Sequence, residues 1–227
     1  MAVTRRGFVT GLATAALGSI GSAQAATMLS SRALAYFTGS AEDNGIVYRL
    51  TNWKKINPKW RRQLVSYQSQ EPQGSVVIDT DNHFLYVIFE NQTALRYGVG
   101  VGRDGFRWFG RARIDRKSLW PRWVPPPEMR VRHPELPEYM DGGPENPLGP
   151  RAMYLFRDGK DLGYRLHGTL EPWSIGTNAS SGCIRMFSED VIDLYQRCPI
   201  GTRVLVLKHL GAPVVDEAAS VDSEPPQ

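Results

Sequence analysis

Cysteine is scarce in this chain: 227 residues hold two, Cys183 and Cys198. Neither belongs to a Cys-x-x-Cys pair, and no His-x-x-x-His pair occurs, so the usual zinc-ligand spacings are missing and no metal or other cofactor is expected. Long apolar runs are missing too: no segment approaches the ~20 residues that a membrane-spanning helix needs. The Gly-rich stretch Tyr97-Gly98-Val99-Gly100-Val101-Gly102 is followed by neither Lys-Ser/Thr nor a helical pattern, which excludes a phosphate-binding loop. No nucleic-acid motif accompanies the net charge of +4, and there is no internal repeat. From Gly211 onward basic and aromatic residues vanish while Asp216, Glu217, Asp222 and Glu224 remain, a composition that reads as a disordered acidic tail over 211–227.

The N-terminus carries an address. Thr4-Arg5-Arg6-Gly7-Phe8-Val9 is a twin-arginine pattern, followed by a mildly apolar Gly/Ala-rich run to Ile20 and a small-residue cleavage site, Ala23-Gln24-Ala25. Residues 1–25 are therefore expected to be a twin-arginine export signal to the periplasm, with a retained N-terminal anchor as the alternative. Residues 26–69 read as a partly ordered N-terminal extension and 70–210 as one catalytic domain. Within the extension, Arg49, Lys54, Lys55, Lys59, Arg61 and Arg62 occur without an intervening acid. A solvated basic face is one reading, and attraction to an anionic envelope polymer or lipid surface is the other.

Strand signals dominate the rest. Ser75–Thr80 and Phe84–Phe89 are β-branched or aromatic runs joined through Asp81-Asn82. Ala94–Val101, Ala112–Ile114, Met153–Phe156, Tyr164–His167 and Thr202–Leu207 are further strands, with the glycines at 98, 100 and 102 marking bends or close backbone approach. Helices are few. One is expected from about Glu189 to Cys198, capped by Ser188, with Val191, Leu194, Tyr195 and Cys198 on one face; a shorter one is expected near Pro58–Val65. Such a pattern predicts a mainly β sandwich or barrel with one or two short helices. Between Lys117 and Pro150 the pattern breaks into a long Trp/Pro-rich loop holding Trp120, Trp123 and Pro125–Pro127. It reads as a lid or wall beside the cysteine, or as a surface loop packed by its own aromatics.

The chemistry concentrates in one block: His167-Gly168-Thr169, then Ile175-Gly176, then Ser180-Ser181-Gly182-Cys183-Ile184-Arg185-Met186. A thiolate attacks and a thiol does not, so a nucleophilic cysteine wants a base or a cation beside it. His167 is the candidate base and Cys183 the candidate nucleophile. Gly182 leaves room for an acyl group and is a candidate for turning a backbone N–H toward an oxyanion. Arg185 either holds a substrate carboxylate with its planar fork or ties the loop down. Ser180 either hydrogen-bonds in the site or forms the turn. Cys183 as a buried small hydrophobe, or as the disulfide partner of Cys198, is the competing reading.

The stretch Tyr164–Met186 resembles the catalytic signature of the L,D-transpeptidases with a YkuD-type domain: His-Gly-Thr, a spacer with Ile-Gly, then Ser-x-Gly-Cys-Ile-Arg-Met. Ser181 stands where many members have His or Asn. Tyr97–Gly102, Trp120-Pro121-Arg122-Trp123-Val124-Pro125-Pro126 and Asn146-Pro147-Leu148-Gly149 are similar to the proteobacterial branch, and the likeness covers roughly 70–208. The resemblance implies a β-sandwich of mixed sheets, Cys183 as nucleophile, His167 as general base and acid, and the Gly168 backbone carbonyl as the group that orients the imidazole. It further implies substrate contacts from Arg185, Ser180, Ser181, Gly182, Trp123 and Asn146. The implied substrates are peptidoglycan stem peptides, with a diaminopimelate amine, an outer-membrane protein or lipoprotein lysine, water or a free D-amino acid as acceptor. Hydrolysis of the same bond and a non-catalytic envelope-binding module are the competing functions.

Overall fold

Asn44-Gly45 reverses the chain between strands β1 (Phe37–Asp43) and β2 (Ile46–Thr51), which follow a short helix α1 (Ser31–Leu34). Both turn residues have positive φ, 51° and 78°, and Asp43 faces Ile46 across them; that backbone twist matches the twist of paired strands and suits Asn-Gly. These features come from a computed structural model that describes residues 30–103 and 108–208. The expected leader and the expected acidic tail lie outside the described residues.

A nine-stranded mixed sheet dominates. In chain order its members are β3 (Gln63–Ser66), β4 (Val76–Asp79), β5 (Phe84–Ile88), β6 (Thr93–Gly98), β8 (Gly110–Leu119), β9 (Arg151–Arg157), β10 (Lys160–Gly168), β12 (Ile184–Met186) and β13 (Arg203–Val206), with β7 (Val101–Gly102) and β11 (Asn178–Ser180) pairing separately. The spatial order is β12-β10-β9-β8-β13-β4-β5-β6-β3. The pairs β10–β12, β4–β13 and β7–β11 are parallel, and the other pairs antiparallel. The protein is therefore mainly β with mixed sheets, as its sequence leads one to expect. Leu85 of β5 and Leu166 of β10 share one apolar cluster although several strands separate them, so the sheet curls around a common core. The central strands alternate: Val76, Ile78, Leu85 and Val87 enter that core, while Val77, Phe84, Tyr86 and Ile88 pack beneath Trp60, Val65 and Tyr67 on the other face.

Helix α2 (Pro127–Arg132) lies in the long loop, and α3 (Ser188–Arg197) packs on β9 and β10. Val191, Leu194 and Cys198 are completely buried on the face expected of α3, each apolar side chain contributing about 1.5–3 kcal/mol. Ser188 is not its cap; the helix begins at Ser188, behind Phe187, with no side-chain cap. Glu189 in the first turn is instead taken by Thr51, whose N–H and Oγ1 donate to it at 2.6 and 2.8 Å. Pro58–Val65 is not a helix either. A 3-10 turn covers Pro58–Trp60, and strand β3 follows because it pairs in register with β6. The strand expected over Ala94–Val101 breaks after Gly98, and β8 runs on to Leu119, so the long loop starts at Trp120.

The N-terminal hairpin is locked to the body of the protein. Arg151, buried at the start of β9, donates two bonds to the Asp43 carboxylate at 2.6 and 2.7 Å, and Trp120 Nε1 donates to the same carboxylate at 2.9 Å. That pairing holds the Asp43 carboxyl below its usual range. Asp43→Ala leaves a buried guanidinium without its counter-charge and is expected to cost about 3 kcal/mol, read as a lower urea midpoint at unchanged slope. The basic run is likewise partly internal: Arg61 donates to the carbonyls of Trp53 and Ile56, Arg62 pairs with Asp193, and Arg49 with Glu145. Lys54 and Lys55 remain exposed.

Candidate active site

Two strands and one turn build the site. Strand β10 ends in Leu166-His167-Gly168 beside β12, in parallel register Leu166↔Ile184, His167↔Arg185, Gly168↔Met186. Leu166, Ile184 and Met186 point into the core, so by the two-residue alternation Arg165, His167 and Arg185 share the opposite face. Ala152 of β9 stands opposite His167 on its other side. Cys183 lies just before β12, level with Arg165. Gly182 ahead of it has φ of +109°, in the region that disfavours any side chain.

The turn that presents the sulfur is held by Ser180. Its Oγ donates to the Cys183 carbonyl at 2.5 Å and accepts from the Gly182 N–H at 3.2 Å, and the residue is 4% exposed. Ser180 therefore forms the turn, and the N–H of Gly182 is engaged by the same hydroxyl. Ser181 is half-buried at the tip. Cys183 and Cys198 are both free; Cys198 sits in the core under α3, so the disulfide is ruled out by placement.

His167 is buried, and its Nδ1 lies 2.6 Å from the carbonyl oxygen of Gly168. A carbonyl only accepts, so Nδ1 carries the hydrogen and Nε2 the lone pair. Burial lowers the imidazole pKa to about 4, against the opposing pull of the Gly168 carbonyl, and the Arg185 and Arg165 guanidiniums push the same way as burial. The Cys183 thiol is raised by burial, with the Arg165 N–H and both guanidiniums opposing. Burial thus favours the uncharged form of both groups, and the two cations beside the sulfur oppose it there.

Arg185 Nη1 donates to Glu171 Oε2 at 2.6 Å, which ties β12 to the segment after Gly168. Glu171 is fixed by its own neighbourhood: its N–H donates to Thr169 Oγ1, and its carbonyl accepts from the N–H and Oγ of Ser174. The glycines of the motif are explained by close approach. A Cβ on Gly176 would meet the Trp60 indole at 2.3 Å, and one on Gly98 or Gly100 would meet the Trp60 or Ser174 carbonyl oxygen at 2.6 or 2.7 Å. Gly168 and Gly149 pack backbone to backbone, so the Leu148–Pro150 segment walls the end of β10.

Asn146 does not meet a substrate. It is 1% exposed; its Nδ2 donates within 3.1 Å to the carbonyls of Pro121, Met140 and Asp141, and its Oδ1 accepts from Leu148 N–H. Trp123 belongs to the same clasp through paired backbone bonds with Met140, at 2.8 Å each. The Trp/Pro-rich loop is thus fastened by its own polar groups, and through Leu148–Pro150 it buttresses Gly168. Sequence reasoning missed Arg165, Asp161 and Glu171 as neighbours of the site; cross-strand register, absent from a linear reading, is what brings them there. Among the described residues no group of three or more His, Cys, Asp or Glu side chains could hold a metal, and no helix is long and apolar enough to cross a membrane.

Comparison with known proteins fits this geometry. The L,D-transpeptidase catalytic domain family, YkuD, matches residues 73–206. The Escherichia coli (strain K12) protein named probable L,D-transpeptidase YbiS is 29% identical over 67% of this chain and 48% of its own length. Probable L,D-transpeptidase ErfK/SrfK of the same strain is 32% identical over 60% of this chain and 44% of its own. These matches span about half the length of those relatives. A Brucella melitensis crystal structure, named a probable carnitine operon oxidoreductase, is 49% identical over 69% of this chain and 99% of that one, with a TM-score of 0.46.

Proposed function

The chain belongs to the YkuD family of L,D-transpeptidase catalytic domains, and from that premise we propose that it is a periplasmic, cysteine-dependent acyltransferase acting on peptidoglycan stem peptides. The observation that carries this reading is His167 with its Nδ1–H fixed on the Gly168 carbonyl, at the end of a strand that pairs with β12 just after Cys183. The Nε2 lone pair takes the thiol proton as Sγ attacks the amide carbonyl between the L-centre of diaminopimelate and the terminal D-Ala. The C–S bond forms, the C–N bond breaks, the imidazolium returns the proton to the leaving amine, and D-Ala departs. The thioester is then resolved by an amine, whose proton passes through His167 back to the sulfur. Arg185 has guanidinium donors beyond the one engaged by Glu171, and they are offered to a substrate carboxylate.

The acceptor amine we propose is the side-chain amine of a second diaminopimelate, giving a 3→3 cross-link; an envelope-protein lysine is the alternative acceptor. The twin-arginine pattern at Arg5-Arg6 supports export, with the working protein starting near Ala26 after loss of its leader. Mass spectrometry of muropeptides after incubation with purified protein tests the reading. Cross-linked dimers with loss of D-Ala are expected from the wild type and not from Cys183→Ala. Tripeptides alone would make the enzyme an L,D-carboxypeptidase, and an unchanged profile would leave only a binding module.

A further inference from the structure

On the face that carries His167, a second row of side chains crosses the sheet. Arg116 of β8 stands opposite Tyr154 of β9, and Tyr154 opposite Arg165 of β10. Arg165 is in turn level with Cys183. The row is built: the Arg116 and Arg165 guanidinium carbons lie 3.7 and 4.7 Å from the centre of the buried Tyr154 ring, which receives both cations on its π system. Arg165 is mostly buried, at 22% side-chain exposure, and Arg116 is exposed.

One acid faces both cations. Asp161 accepts from Arg165 Nη1 and Nη2 at 3.1 and 3.2 Å and lies 3.8 Å from Arg116. Its Oδ1 also accepts from the Gly163 N–H at 2.9 Å, inside the register shift between Asp161 and Arg165. A single carboxylate between two guanidiniums leaves the row cationic and leaves donors of Arg116 without an acidic partner at contact distance. Arg165 thus has two functions available. Its main chain stands level with Cys183, and its side chain runs along the row onto Tyr154 and Asp161.

We infer that Arg165 and Arg116, braced on Tyr154, form a carboxylate subsite for the acyl-donor peptide, separate from Arg185. Its ligand is the free carboxylate at the far end of the diaminopimelate side chain. Strands lie about 4.8 Å apart, so Tyr154, where the two guanidiniums meet, stands two spacings or about 10 Å from the level of the sulfur, and the Arg116 backbone about 14 Å. The distal carboxylate is six carbon–carbon bonds from the reacting carbonyl, about 7 Å when extended. Planar guanidinium forks match a carboxylate, and the donors open to it are the guanidinium N–H groups that Asp161 and the Tyr164 carbonyl leave unengaged. The inference rests on the stem-peptide reading above and adds a substrate requirement to it: the distal carboxylate must be free, not amidated.

The test uses Cys183→Ala protein, which binds without turnover, and two tetrapeptides that end in D-Ala and differ only in the distal diaminopimelate group, carboxylate or carboxamide. Calorimetric titration is expected to show the carboxylate peptide binding at least about tenfold more tightly, the value of a charge-assisted hydrogen bond. Adding Arg165→Gln is expected to bring the two affinities within about twofold of one another. Arg116→Gln, at an exposed position outside the core, is expected to shrink the ratio by about threefold without touching the fold. Equal affinity for both peptides, no binding of either, or a ratio that survives both substitutions would overturn the subsite. Wild-type protein mixed with the carboxylate peptide separates this outcome from the parent reading. Discrimination without acylation of Cys183 keeps the subsite and sinks acyl transfer; acylation without discrimination does the reverse.

Discussion

Cys183→Ala is expected to reduce D-Ala release from a tetrapeptide by about four orders of magnitude or more, because the attacking sulfur is lost. The only other thiol, Cys198, is completely buried under α3, and its pKa is pushed by burial up to about 12. Its replacement by alanine is therefore expected to spare activity while lowering stability by roughly 1 kcal/mol through the lost packing. The two substitutions separate a site from a core position. Cys183 precedes β12 in a turn held by Ser180 and Gly182, so removing its sulfur leaves the strand pairing and its backbone bonds in place. An unchanged melting temperature with lost turnover is the expected pair of readings. Substantial D-Ala release by the alanine variant would mean that the sulfur is not the attacking atom.

His167→Ala is expected to lower kcat/KM by about 10²–10⁴-fold, the range in which a positioned proton carrier contributes. Its pH signature is more specific than the loss. The base form is the neutral ring, and burial lowers its pKa to about 4. Wild-type activity should then persist through pH 5–6 and fall only as pH approaches about 4, whereas an exposed histidine would lose its base form near 6.5. The acid limb disappears with the ring. Stability follows the same sign. An unfolded His167 binds its proton near 6.5 and the folded one only near 4, so the unfolded state holds more protons between those values. This contribution is complete above pH 6.5 and declines as pH falls toward 4. A pH–rate profile with its acid limb near 6.5 would show that the imidazole is not held as the structure has it.

The residues that carry the chemistry are legible because they are close in sequence and chemically uncommon. His167, Gly182 and Cys183 stand out from their spacing, the part of Gly168 comes from the family resemblance, and the glycines at 98 and 100 announce the close approach that Trp60 and Ser174 impose. What escapes a linear reading is set by partners far along the chain. Gln63–Ser66 becomes a strand because β6 offers an edge, overriding the helix that its neighbours suggest. Asn146 has the look of a site residue, yet four backbone groups claim its amide. Asn44-Gly45 was the one overlooked local signal: the dipeptide alone marks a hairpin, and the flanking residues 37–51 alternate only weakly. The burial that raises the Cys183 thiol against its neighbouring arginines is likewise set by packing and not by the local sequence.

The account stands on a thioester at Cys183 with D-Ala released before any acceptor binds. Intact-protein mass spectrometry of wild type quenched seconds after mixing with a diaminopimelate tetrapeptide tests it most directly. The predicted result is a mass gain equal to the peptide less D-Ala, located on the Cys183 fragment, sensitive to hydroxylamine and absent from Cys183→Ala. D-Ala release with no adduct at any time point, or an adduct that persists in Cys183→Ala, would contradict it.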